Sequence, residues 1–261
     1  MVGNSFSLQH EPETAIKFFQ RALQLDPHFS YAHTLCGHEY VANEDLEKGV
    51  SNFRHAIRCD ERHYNAWYGL GSVYYRQERL DLAEYHFRRA TSINKMSSVL
   101  QCYMGMVLHA QNNMASGGED EEDQQSTGYN LAREEEAFGI LRNASHRDPK
   151  NPQLHFQMVH VLLSLDSATS LESDNDFEIG NHTDVVEYKA EVAAYLDIHP
   201  YLQEAIYELH LLEELVPKES PIFSLLGQIY QHKLNNTKLA AKYYNIAIDL
   251  DPKEFITLKV S

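Results

Sequence analysis

The sequence predicts an all-α protein, a right-handed superhelical solenoid of helix-turn-helix repeats. Three observations carry that expectation. Large and small residues recur at fixed positions about every 34 residues. Prolines fall at one phase of that period. The composition is that of a folded chain: hydrophobic residues are 43% of 261, and the glycines bring the apolar share into the ~45–50% range of globular proteins. With 12 glycines and eight prolines, the chain is neither collagen-like nor a Pro/Gly-rich low-complexity segment.

The repeats follow in order. With Trp67 at position 4, Leu70, Gly71 and Tyr74 take positions 7, 8 and 11, and Ala83, Phe87 and Ala90 take 20, 24 and 27. This is the pattern of the tetratricopeptide repeat. One unit back, Cys36, Gly37, Tyr40, Gly49, Phe53 and Ala56 occupy the same positions; one further back, Gly3, Phe6, Ala15, Phe19, Ala22 and Pro27 do so. Forward, Met104, Gly105 and Leu108 pair with Ala137, Leu141, Ala144 and Pro149 after added chain. Met158, Val159 and Leu162 pair likewise with Ala205, Leu209, Leu212 and Pro217. Phe223, Leu226, Gly227 and Tyr230 pair with Ala240, Tyr244, Ala247 and Pro252. The expected organisation is a single array over 1–254 followed by a tail, 255–261. Its repeats run 1–29 (with its first helix cut short), 30–63, 64–97, 98–151 with an insertion at 112–131, 152–219 with an insertion at 166–199, and 220–254.

The spacing has a physical reason. Each unit is two antiparallel helices; small residues at positions 8, 20 and 27 let them approach, and large residues at 4, 7, 11 and 24 fill the space between. Proline at position 32 cannot continue a helix and so helps end the second one. A single hairpin cannot bury its apolar face, so neighbours stack. The stretch ASGGEDEEDQQSTGYN reads as disordered, and the second insertion begins similarly with DSATSLESDNDFEIGNH. The second insertion predicts an extra helix from Val185 to Ile198, with Asp184 as N-cap, Glu187 three residues on, and Val185, Tyr188, Val192 and Tyr195 on one face. Pro200 suits the first turn of the helix after it.

The net charge of −16 is local. Residues 1–98 carry 11 Lys/Arg against 12 Asp/Glu, while 112–131 holds five acids with no base and 166–199 nine acids with one base. That distribution argues against a general nucleic-acid surface, which needs clustered cations. No apolar run approaches the ~18 residues of a membrane span. The start MVGNSFSLQHEPE has neither the basic nor the apolar region of a secretory signal. Cys36, Cys59 and Cys102 form no CxxC pair and leave one over, so a reducing intracellular compartment is expected. The glycosylation-like triplets at Asn143, Asn181 and Asn235 are then chance matches.

No catalytic constellation emerges, and neither a cofactor nor a metal site is expected. The 15 histidines include no HExxH and no zinc-spaced cluster with cysteine. Gly69-Leu70-Gly71 lies inside a repeat helix, not after a strand, so it is no phosphate loop. What remains is the concave face lined by the first helix of each repeat, at positions 2, 5, 9, 12 and 13. Those positions hold Asn4; Tyr31, Thr34, His38 and Val41; Asn65, Tyr68, Ser72, Tyr75 and Arg76; then Cys102, Met106, His109, Phe156 and His160. This aromatic, amide-bearing lining suits an extended peptide or its terminus. Asn side chains can bond peptide backbone at both ends, and Arg76 can meet a carboxylate bidentately. The chaperone-type clamp for a terminal carboxylate uses paired lysines that this groove lacks.

Beyond the generic pattern, AIKFFQRALQLDP, NFRHAIRCDERHYNAWYGLGSVYYRQERLDLAEYHFRRA, DPKNP and LEELVPKESPIF closely resemble the C-terminal repeats of the cell-division-cycle 27 family. These are scaffold subunits of the anaphase-promoting complex (cyclosome), a ubiquitin ligase of cell division and mitosis. The likeness is dense over 2–110, thinner over 134–165 and 201–254, and absent from the insertions.

The resemblance implies a non-catalytic scaffold in the nucleus and cytoplasm whose partners are other subunits of the complex, with no nucleic acid and no membrane. It implies a groove that binds the C-terminal Ile-Arg tails of activator and substrate-receptor subunits, and homodimerisation of full-length members through N-terminal repeats outside this sequence. The groove positions it carries over are Asn4, His38, Asn65, Tyr68, Ser72, Tyr75 and Arg76, with Glu39 beside them to pair with the tail's arginine. A tetratricopeptide adaptor for another C-terminal peptide stays open as an alternative, as does chemistry housed in the 166–199 insertion.

Overall fold

Thirteen or fourteen residues is the commonest helix length here, because a turn residue or a proline interrupts most runs at about that spacing. The structure is a computed structural model that describes residues 2–9, 11–116, 130–172, 179 and 185–252. The acidic core of the first insertion, Asp184 and the tail 255–261 lie outside the described residues, as do the side chains of Val185, Glu187 and Tyr188. The described residues form helices joined by turns. The chain divides into two compact units, Met1–Gly128 and Tyr129–Ser261.

The first unit holds α1 (Val2–Leu8), α2 (Pro12–Leu25), α3 (Ser30–Ala42), α4 (Leu46–Cys59), α5 (Tyr64–Arg76), α6 (Leu80–Ile93) and α7 (Ser98–Ser116). Each helix packs against the next in the chain, and α3 also meets α5. The second holds α8 (Leu131–Arg147), α9 (Pro152–Glu172), α10 (Val185–Ile198), α11 (Pro200–Leu215), α12 (Ser220–His232) and α13 (Thr237–Leu250). There α9 packs on α8 and α11, and α12 pairs with α13.

Turn chemistry is repeated as faithfully as the helices. Glu44 and Glu78 close the α3–α4 and α5–α6 turns at φ 62° and 59°, in the left-handed region. In each turn a backbone N–H returns five residues to the preceding helix, from Asp45 to the Tyr40 carbonyl and from Arg79 to that of Tyr74. This satisfies carbonyls that the helix end would otherwise leave bare. Asn235 does the same duty before α13 at φ 46°. Asp45, Asn130 and Asn236 then cap the following helices through their side chains. Pro27, Pro149, Pro217 and Pro252 each lie two residues beyond a helix end, and Pro200 opens α11.

The helix pairs close over rings. Phe53 and Phe87 are fully buried. A Cβ on Gly71 would lie 2.6 Å from the Phe87 ring, so only glycine fits there without the ring moving. Phe53 is approached from two sides: a Cβ on Gly37 would stand 2.6 Å from its ring, and one on Gly69 would overlap it as well. In the second unit Gly227 faces Tyr244 in the same way.

Both insertions begin later than the consensus turn, because helix-competent residues prolong the first helix. α7 runs to Ser116 and α9 to Glu172. Within α9, Asp166 is buried, meets His199 Nδ1 at 3.0 Å and takes a hydrogen bond from Lys233 Nζ at 3.1 Å. The Asn235 amide donates to the Ile179 carbonyl at 2.9 Å, and Ile179 is buried in the second unit's core. Val192 and Tyr195 of α10 join that same core.

Candidate functional site

In the first unit, the first helices of successive repeats leave a cavity of about 370 Å³. Its walls come from α3, α4, α5 and α7. His38, Tyr68, Ser72, Tyr75 and Arg76 of the sequence-predicted set line it, together with Val41 and Met106. Their convergence follows from helical phase. Positions 5, 9 and 12 of α5 share one flank, and position 9 of α3 faces the same space.

The geometry is aromatic and partly dry. His38 lies edge-on to Phe53, ring centroids 5.0 Å apart, and tilts toward Tyr68 at 6.3 Å. Burial pushes the His38 imidazole below the ordinary histidine range, and the neighbouring His63 adds to the effect, so the ring is neutral at physiological pH. Tyr68 is edge-on to Tyr103 at 5.1 Å, and Tyr103 stacks on Phe87 at 5.3 Å. Burial raises the Tyr103 and Tyr75 phenols, which stay protonated donors. The Ser72 hydroxyl is buried with no hydrogen-bond partner among the described residues, a cost of about 1–3 kcal/mol that a ligand acceptor would remove. Arg76 is exposed at the mouth. The site offers a neutral aromatic floor, one free hydroxyl and one cation.

Asn4, Asn65 and Glu39 do not line this cavity. Asn4 is half-buried on α1, and Asn65 half-buried in the first turn of α5. Glu39 is buried and accepts a hydrogen bond from Ser7 Oγ of α1 at 2.5 Å. Thr34 and Cys102, both at position 5, are buried, and the Thr34 hydroxyl bonds back to the Ser30 carbonyl at 3.0 Å. Tyr103, Phe53 and Gly69 contribute lining that the groove positions alone do not nominate, whereas Ala42 stands at position 13 of its repeat. Tyr103 sits one place after position 5, and the size of its side chain is the only signal that could have found it.

In the second unit a separate cavity of about 380 Å³ is lined by Phe156, Gln153 and Gln157 of α9 with Leu212, Val216 and Ile222. Phe156 meets His160 edge-on at 4.8 Å. Among the described residues, no three His, Cys, Asp or Glu side chains come together as metal ligands, and no helix is long and apolar enough to cross a membrane.

Comparison with known proteins agrees with this architecture. The tetratricopeptide repeat family matches residues 37–96 and again 220–254. Over 96% of its length the chain is 38% identical to cell division cycle protein 27 homolog B of Arabidopsis thaliana, of which it covers 26%. It is 34% identical over 100% of its length to anaphase-promoting complex subunit 3 of Schizosaccharomyces pombe, covering 31% of that protein. The chain therefore spans about a third or less of the curated relatives it matches. Among solved structures, the pilus biogenesis factor PilW shares the fold at a TM-score of 0.65 and 13% identity, over 93% of this chain and 87% of that one. The chain is a tetratricopeptide-repeat protein, homologous along its whole length to proteins named Cdc27 or anaphase-promoting complex subunit 3.

Proposed function

We propose that this chain, from its homology to Cdc27 and anaphase-promoting complex subunit 3 proteins, is a non-catalytic scaffold segment of that ubiquitin ligase, working in nucleus and cytoplasm. Its partners are other subunits of the complex, and the cavity of the first unit holds their C-terminal Ile-Arg tails. The single observation supporting the tail reading is the meeting of Arg76, the unpartnered Ser72 hydroxyl and an aromatic floor in one space of about 370 Å³. Arg76 can take a terminal carboxylate bidentately. Ser72 can donate to the tail backbone, and the His38, Phe53 and Tyr68 rings accept the isoleucine side chain.

Fluorescence anisotropy with a labelled peptide ending in Ile-Arg tests this reading. The free-acid peptide binds; amidation of its terminus or removal of the arginine weakens binding at least tenfold. Arg76→Ala and Tyr68→Ala weaken it to a similar degree while the melting temperature holds. Equal affinity for the amidated and free peptides would refute tail capture, and so would full affinity in both variants.

A further inference from the structure

One segment of this acidic chain is net positive. From Arg54 to Lys95 there are eight Lys/Arg against five Asp/Glu, whereas the rest of the chain has 14 against 33. Within that segment three arginines are fixed on a continuous set of rings. Arg54 of α4 donates from Nη2 to the Tyr74 hydroxyl at 3.0 Å. The Arg79 guanidinium lies 5.3 Å from the centre of the same Tyr74 ring. Tyr74 stacks on His86 of α6 at 5.2 Å, with 12° between the planes. His86 in turn tilts against Trp67 at 5.6 Å, and the Arg89 guanidinium covers Trp67 at 5.3 Å. Tyr85, 54% exposed, closes the set edge-on to Trp67 at 6.3 Å.

This surface is separate from the groove. Trp67 and Tyr74 are seven residues apart on α5, on a different flank from Ser72 and Arg76. Arg54, Arg79 and Arg89 are exposed, and none pairs with a carboxylate among the described residues. Of the acids close in sequence, Glu84 is engaged with Arg88 and Asp81 with the Gln111 amide. His86 Nδ1 is buried without a hydrogen-bond partner among the described residues. Burial and the Arg54 charge hold that imidazole down at about 4, so it adds no competing charge.

A guanidinium lying over a ring keeps its planar fork oriented and loses little freedom on meeting a carboxylate. Two such forks, Arg79 and Arg89, with Arg54 anchored through the Tyr74 hydroxyl, suit two or three side-chain carboxylates, interleaved with an apolar residue against Tyr85. A long polyanion is disfavoured, because the remainder of the chain is strongly acidic and repels it. We propose that this α4–α6 face docks a short, extended, Asp/Glu-rich segment of a partner protein. Arg54, Arg79 and Arg89 receive its side-chain carboxylates, with no need of a free C-terminus.

The test uses the full chain and a fluorescein-labelled peptide of alternating glutamate and leucine, amidated at its C-terminus. Saturable binding that weakens as salt rises from 50 to 200 mM is expected. The triple variant Arg54→Ala/Arg79→Ala/Arg89→Ala should lose at least tenfold in affinity and keep the wild-type circular-dichroism spectrum. A control variant, Lys17→Ala/Lys218→Ala/Lys238→Ala, removes the same charge elsewhere and should bind as wild type. No saturable binding, or an equal loss in the control, overturns the proposal. Displacement of the probe by a free-acid Ile-Arg peptide overturns it too, by moving the site to the groove. Tighter binding of a single-stranded oligonucleotide of equal charge would replace the peptide with nucleic acid. The result is independent of tail capture, since each probe reads its own variants.

Discussion

Gly71 carries two opposed effects in one residue. Alanine there would gain about 1 kcal/mol of helix propensity. It would also set a Cβ 2.6 Å from the fully buried Phe87 ring, and overpacking of that kind costs about 1–3 kcal/mol. The steric term wins, so Gly71→Ala should cost up to about 2 kcal/mol of stability net, read as a lower urea midpoint. An unchanged or raised midpoint would show that the ring yields freely. His86 gives the residue scale a pH signature. Its folded-state value is lowered from 6.5 to about 4, so the unfolded chain binds the proton more readily between those values. Its contribution is complete above pH 6.5 and fades as pH falls. The wild type should therefore lose more stability between pH 7 and 5 than His86→Phe, measured by denaturant unfolding. His155 runs the other way. Its hydrogen bond to Glu208 raises it, so that contribution is full below about 6.5 and declines at higher pH.

The turns between paired helices set the element scale. Glu78 holds φ 59°, a conformation that costs a residue with a Cβ roughly 1–2 kcal/mol. Glycine removes that strain but adds unfolded-state freedom worth about 0.4–1 kcal/mol. Glu78→Gly should then stabilise by about 0.5–1 kcal/mol, seen as a rise in melting temperature. A fall would mean that the glutamate side chain contributes something more. Periodicity made these elements legible: Trp67, Gly71, Phe87 and their equivalents mark helix phase, and the same phase placed Tyr68, Ser72, Tyr75 and Arg76 together. It could not set where α7 and α9 end, since Met114, Ser116 and Ser167 through Glu172 are tolerable helix residues beyond the consensus turn. It also could not foresee that Glu39 would be covered by Ser7, a contact 32 residues distant, or that Tyr103 would complete the cavity floor. Such contacts depend on side-chain size and on neighbouring helices, which a repeat pattern averages away.

For the whole molecule, stability in a stacked array is close to a sum of hairpin and nearest-neighbour terms. Phe53→Ala removes the ring at the centre of the first unit, where the residue is wholly buried, and truncating a buried Phe to Ala costs about 3–5 kcal/mol. Hydrogen exchange should show the lost protection in α3, α4 and α5, while amides of α12 and α13 keep theirs. Uniform loss in both units would mean that the array unfolds as one cooperative block.

The position of Phe53 between Gly37 and Gly69 has an effect on assembly as well as on packing. A slip of one residue in either α3 or α5 would thrust a methyl or larger group into the ring's face. One side chain thus proofreads the alignment of two consecutive hairpins, and a mis-threaded neighbour on either side is rejected before it can pack.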